Sequence, residues 1–272
     1  MTDTMRLGRS FAAQKSSSSP VFQKLAAKDF LGLSFDCAAP EAAMEQIIAR
    51  PTDAPFAYVI TPNVDHVVRL RCARSDLWPA YRHAWLTLCD SRILARLAAH
   101  AEVQLPVTTG SDLTESLFSS GMARDDRIAV LGGDPAMIET LRTQYGYTNL
   151  VHHNPPMGFI TDQEQRFLAI DFIVNARARF TFLAVGSPQQ EILAHQVARC
   201  GGAIGIGLCI GASLEFLCGK QTRAPRLLQK LSMEWLFRLF SDPMRLWRRY
   251  LVDGPMIFSI FRHCQHFARR WH

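Results

Sequence analysis

With 272 residues, 48% of them hydrophobic and 20% charged, the chain has the length and balance of one large α/β domain, or of one domain with an appendage. Its seven cysteines (37, 72, 89, 200, 209, 218 and 264) show no C-x-x-C pairing, which speaks against a disulfide framework and for a reducing, cytoplasmic setting. The net charge is +6, but residues 220–272 hold 11 Lys/Arg against 3 Asp/Glu, and this asymmetry calls for an anionic partner at that end: lipid head groups, phosphate or nucleic acid.

Residues 1–20 lack an apolar core and end in "KSSSSP". They do not read as a signal peptide, and residues 1–27 are expected to be disordered. Beyond them, short apolar runs predict strands at 30–35, 56–61, 85–90, 127–133, 149–153, 180–186 and 203–209. Helical patterns fill the intervals at 40–50, 63–74, 91–99, 111–120, 134–145, 161–178 and 188–199. Runs that are apolar on both faces and joined by helices predict an α/β, Rossmann-like, mainly parallel sheet covered on both sides over 28–219. The stretch 201–219 imitates a membrane span, with Glu215 as its only charge. It is glycine-rich, and a buried strand, a turn and a helix start explain it better.

In such sheets ligands bind at the carboxyl ends of strands. Polar or small clusters follow five of the predicted strands: "TPNVDHVV", "CDSRIL", "GGDP", "GSPQQE" and "IGASLEF". One reading makes Thr61, Asp90, Asp134 and Ser187 helix caps. Five such clusters on one sheet edge favour a site. The "GIGLCIG" glycines are spaced G-x-G-x-x-x-G and fail the dinucleotide fingerprint. No Walker lysine follows "LGGDP", and no D-x-D pair is present to hold a divalent metal. His152–His153 and "HCQH" at 263–266 lack a matching ligand cluster and read as solvated histidines.

The last 53 residues interleave arginine with apolar side chains. Leu227, Leu228, Leu231, Trp235, Leu236, Leu239 and Phe240 form one apolar stripe. A second helix after "SDP" groups Met244, Trp247 and Leu251, with Arg245, Arg248 and Arg249 on its other sides. Residues 220–272 thus read as a basic, amphipathic helical appendage. It either packs on the core with a solvated face, or places Trp and Leu in a lipid interface with Arg at the head groups.

"TPNVDHVVRLR", "TGSDL", "FLAVGSPQQE" and, above all, the long pattern from "GASLEFLCGKQTRAPR" to "DPMRLWRRYL" resemble the WecG/TagA/CpsF glycosyltransferases of bacterial cell-surface polysaccharide synthesis, over residues 28–255. The resemblance implies a metal-independent, inverting transfer without a cofactor. A nucleotide sugar, expected to be a UDP-sugar, would donate to a polyprenyl-diphosphate-linked saccharide. The enzyme would be peripheral on the inner face of the cytoplasmic membrane.

By motif, the resemblance makes Asp90 the general base and Gln190 a substrate contact, with Glu191 structural. It places Thr61, Asn63, Gly110, Ser111, Asp112, Gly132 and Gly133 around the substrates. Arg238, Arg245 and Arg248 would grip a diphosphate, as suits an always-charged, bidentate group. Where many members have glycine after the aspartate, this chain has Ser91–Arg92. That departure keeps open a catalytically idle recruitment partner of a polysaccharide assembly complex. Nucleic-acid binding is disfavoured because the aromatics lie on the apolar stripe. The oligomeric state is open between a single chain and a homo-oligomer.

Overall fold

The computed structural model describes residues 25–220, 225, 228 and 233–268. The expectations for residues 1–24, for Leu227 and Leu231, and for the side chain of Arg245 lie outside the described part. The described part opens on a hairpin, not on the single strand predicted over 30–35. Strand β1 (Ala27–Phe30) pairs antiparallel with β2 (Leu33–Asp36). Leu31 at φ 51° and Gly32 at φ 85° make the reversal, both in the left-handed region that suits a two-residue hairpin turn. The run "FLGLSF" conceals that turn because only its glycine signals it.

Six parallel strands form the main sheet: β3 (Ala57–Ile60), β4 (Leu86–Thr87), β5 (Ile128–Leu131), β6 (Leu150–His153), β7 (Phe180–Leu183) and β8 (Ile206–Cys209). Their order is β4-β3-β8-β7-β5-β6. Alternate residues feed two cores. Tyr58 and Ile60 face one layer while Val59 faces the other, and Phe180 and Phe182 oppose Leu183 in the same way. The first layer contains α2 (Val64–Cys72), α3 (Trp78–Arg82), α4 (Arg92–His100), α7 (Gln163–Ala176) and α8 (Gln189–Cys200). The second contains α1 (Pro40–Ala49), α5 (Gly110–Ser116), α6 (Pro135–Tyr145) and α9 (Ser213–Leu217). The predicted Rossmann-like α/β sheet is therefore observed.

The order of the strands locates the crevice. β3 and β8 are neighbours, yet α2 leaves β3 into the first layer and α9 leaves β8 into the second. Loops that part in this way open a cleft at the strand ends. The glycines before and within β8 serve packing rather than phosphate: a Cβ on Gly207 would stand 2.5 Å from the Phe56 ring, and one on Gly205 would stand 2.3 Å from the carbonyl oxygen of Ala178. The stretch 201–219 resolves into β8, a turn and α9, as expected. Among the described residues no helix is long and apolar enough to cross a membrane.

After α9 the described chain resumes in α10 (Glu234–Ser241), α11 (Pro243–Trp247), a π turn over Arg248–Asp253 and α12 (Met256–Ala268). The sequence reading held no counterpart of α12, which packs back on the first layer. Ile257 is buried there, Ile260, Phe261 and Cys264 line the same core, and the Phe261 ring lies 6.0 Å from that of Phe30. The described part of the basic segment thus stays against the domain, through Arg238 on Phe216, Arg249 on Asp65 and the returning α12. Trp235, Arg238, Arg249 and Tyr250, ahead of that helix, share one cavity with Asn63 and Asp90 at the carboxyl ends of β3 and β4.

Candidate active site

At those strand ends a cavity of about 440 Å³ opens between the sheet and the C-terminal segment. Asn63, Asp65, Asp90 and Arg92 form its wall on the sheet side; Arg238 and Arg249 face in from the C-terminal side. Trp235, Tyr250 and Ile257 make much of the remainder apolar.

Local capping sets which side chains reach this space. Asn63, not Thr61, caps α2, and its Oδ1 accepts from the Asp65 amide at 3.1 Å. Ser91, not Asp90, caps α4, and its Oγ accepts from the Leu94 amide at 3.2 Å. Of the four residues read as caps, Asp134 alone plays that part, accepting from Met137 at 2.9 Å; the helix after β7 begins at Pro188 without a side-chain cap. Ser91 takes the cap, and Asp90 lines the cavity. The Asp90 amide donates to the carbonyl of Pro62 at 3.0 Å, and its Oδ2 accepts from the Gly110 amide at 3.3 Å.

Gly110 sits where three site loops meet. A Cβ there would stand 3.1 Å from Thr61 Oγ1, 3.4 Å from Ser213 Oγ and 3.8 Å from Asp90 Oδ2. Ser111 and Ser213 approach within 3.4 Å through their hydroxyls. Asp112 accepts from the Thr109 hydroxyl at 2.6 Å and does not line the cavity. Thr61, Asn63, Asp90, Gly110 and Ser111 are thus brought together.

Gln190 lies beneath the cavity instead of on its wall. It is buried; its Oε1 accepts from the Gly211 amide at 2.9 Å and its Nε2 donates to Glu191 at 2.8 Å. Glu191 in turn lies 3.6 Å from His66 Nε2, and His66 Nδ1 lies 2.8 Å from Asn63 Oδ1. This chain of polar contacts ties the ends of β3, β7 and β8 together. Burial pushes the Glu191 carboxyl up, but the bonds from His66 and Gln190 prevail and hold it below its ordinary range.

Asp65 ties the sheet to the C-terminal segment. It pairs with Arg69, its neighbour one turn on, and with Arg249 at 3.5 Å. Burial opposes its charge; the Arg249 and Arg69 guanidinium groups outweigh burial and lower its pKa. Arg238 stacks over the Phe216 ring at 5.2 Å.

Two groups of expected site residues stand elsewhere. Gly132 and Gly133 close the loop after β5, two strands beyond β8, where the Gly132 amide donates to His153 at 2.9 Å; neither lines the cavity. Arg248 is exposed and outside the cavity, whose wall takes Arg249 instead. Arg248 was named by the motif match; both arginines lie in a π turn, whose wider winding departs from 100° per residue. The wheel grouped Arg249 with Arg248, and nothing in the spacing separates them. Asp65 and Arg92 also escaped the sequence reading. Their positions beside Asn63 and Asp90 were the available signal. Among the described residues, no three His, Cys, Asp or Glu side chains are grouped to hold a metal ion.

The apolar side chains of the C-terminal segment divide between two roles. Trp235 and Ile257 turn inward, while Phe240, Met244 and Trp247 stay exposed, Met244 at 86% and Phe240 at 77%; Leu251 is exposed but also lines the cavity. This exceeds what scattered single apolar residues on a surface account for.

The sequence profile of the glycosyl transferase WecG/TagA/CpsF family matches residues 28–270, from the first hairpin through α12. The chain belongs to that family, a glycosyltransferase family of cell-surface polysaccharide synthesis.

Proposed function

We propose that the chain is a membrane-associated, metal-independent, inverting glycosyltransferase. It moves a sugar from a nucleotide-sugar donor, read as a UDP-sugar, to a polyprenyl-diphosphate-linked acceptor at the inner face of the cytoplasmic membrane. The observation that carries the reading is that Asp90 shares one cavity with Arg238 and Arg249, which approach from the C-terminal side. A carboxylate and two guanidinium groups across about 440 Å³ provide a base for one end of a displacement and positive charge for the other.

In this mechanism the acceptor hydroxyl gives its proton to Asp90 as its oxygen bonds to the anomeric carbon. The bond from that carbon to the nucleoside diphosphate breaks on the opposite face, and the electron pair leaves with the diphosphate. Arg238 and Arg249 receive the charge that develops there. Asn63 is placed for a sugar or phosphate oxygen. The exposed Phe240, Met244, Trp247 and Leu251 enter the lipid interface beside the basic residues.

The test is turnover of a nucleotide-sugar panel on short-chain diphosphate-linked acceptors in excess EDTA, with the anomeric configuration of the product read by NMR. Inverted product from the wild-type chain, and none from Asp90→Asn, is the expected result. Retained configuration, or activity lost in EDTA and restored by magnesium or manganese, would overturn the mechanism.

A further inference from the structure

The cavity contains a cation for which the mechanism above has no use. Arg92 lines it two residues beyond Asp90. Arg238 stacks on Phe216 and Arg249 pairs with Asp65. By contrast, the side chain of Arg92 makes no hydrogen bond or ion pair among the described residues. Its position also runs against local electrostatics. It is the first residue of α4, whose first turn holds no acidic side chain, and a cation is unfavourable at that end of a helix. The helix itself therefore does not favour an arginine at this exposed position.

We propose that Arg92 binds an anionic group of the acceptor, next to the hydroxyl that Asp90 deprotonates. The inference rests on the glycosyltransferase reading and specifies its acceptor. In an inverting displacement the nucleophile and the leaving group lie in line on opposite faces of the anomeric carbon, so the base stands on the acceptor side. Arg92 belongs to the same β4–α4 connection as that base. Its guanidinium therefore serves the acceptor, and the arginines of the C-terminal segment remain for the departing diphosphate. The chemistry it recognises is a pair of anionic oxygens, which a guanidinium fork meets bidentately. Two parts of an acceptor can supply them: a carboxylate on the sugar ring, or the diphosphate that joins sugar to lipid.

Three amphiphiles of equal chain length separate these sources: undecyl diphosphate, undecyl glucuronide and the neutral undecyl glucoside. Their binding below the micelle concentration is measured by calorimetry on the wild-type chain, on Arg92→Gln, and on Arg262→Gln, which removes an exposed arginine of α12 outside the cavity. The wild-type chain should bind one anionic probe about tenfold or more tighter than the glucoside, as a charge-assisted pair allows. Arg92→Gln should erase that preference and Arg262→Gln should keep it. The probe that loses its advantage identifies the source.

Binding of UDP should be the same in Arg92→Gln as in the wild-type chain. A preference that survives Arg92→Gln, a wild-type chain without any preference, or a parallel loss of UDP affinity would each overturn the assignment. Failure of the underlying reading looks different: the wild-type chain then transfers no sugar from any nucleotide sugar, whatever the three probes show.

Discussion

The Gly110 amide donates to Oδ2 of Asp90 at 3.3 Å, across 20 residues of sequence. The bond fixes the carboxylate relative to α5, and with it to Thr61 and Ser213, which crowd the same glycine. In the proposed mechanism, a base held in this way would need no reorganisation at the moment of proton transfer.

Asp90→Asn should therefore leave the fold and donor binding in place while lowering transfer by about 10²–10⁴-fold, the usual worth of a positioned general base. The amide oxygen can still accept from Gly110, but it cannot take the acceptor's proton. Steady-state turnover together with UDP affinity checks this. Near wild-type turnover would remove Asp90 from its role.

Gly110→Ala tests the support rather than the base. The new methyl would sit 3.1 Å from Thr61 Oγ1 and 3.4 Å from Ser213 Oγ, so one of the loops must give by a few tenths of an ångström. A shift of that size should cut kcat about tenfold with little change in melting temperature, because catalysis is more sensitive to placement than folding is. If stability falls and kcat does not, the glycine is there for packing alone.

The strands of the main sheet were legible because each is a short apolar run between turn signals, and all six lie inside or across the predicted runs. The hairpin at Leu31–Gly32 was not, since one run covers both of its strands and only a left-handed φ divides them. Asp90 and Asn63 were legible by their place after strands, a rule of the fold. Arg249 was not, because the motif match points to Arg248 and the π turn that holds both leaves no mark in apolar spacing. Gln190 was legible as part of a motif, but its burial and its bonds to Gly211 and Glu191 were not, because motif spacing does not say which way a side chain turns.

Glu191 should make stability depend on acid. Its pKa lies below the ordinary 4.5 because the contacts from His66 and Gln190 outweigh burial. A group depressed in the folded state stabilises above its unfolded pKa and loses that contribution as pH falls through the folded value. Melting temperatures should therefore decline from about pH 4.5 downward. In Glu191→Gln that part of the slope should vanish, and the chain should be about 1–3 kcal/mol less stable at pH 7 from a buried bond left unmade. A wild-type slope in the variant would show that other carboxylates carry it.

The C-terminal segment should show two separable losses. Phe240, Met244 and Trp247 are exposed, and changing all three to serine removes apolar area from the interface without touching the cavity wall. Vesicle binding should fall sharply while transfer to a short-chain soluble acceptor is retained. The basic residues alone, worth at most about 1 kcal/mol each near an anionic leaflet, would then leave only weak, salt-sensitive attachment. Arg238→Ala with Arg249→Ala should do the reverse. Transfer should fall strongly on the soluble acceptor, because the diphosphate loses two cations that line the cavity from that side, whereas vesicle binding drops only by the two charges. Liposome flotation read beside soluble-acceptor kinetics distinguishes the two. If the double arginine variant transfers normally to the soluble acceptor, those residues serve the membrane surface alone, and the leaving diphosphate must be held elsewhere.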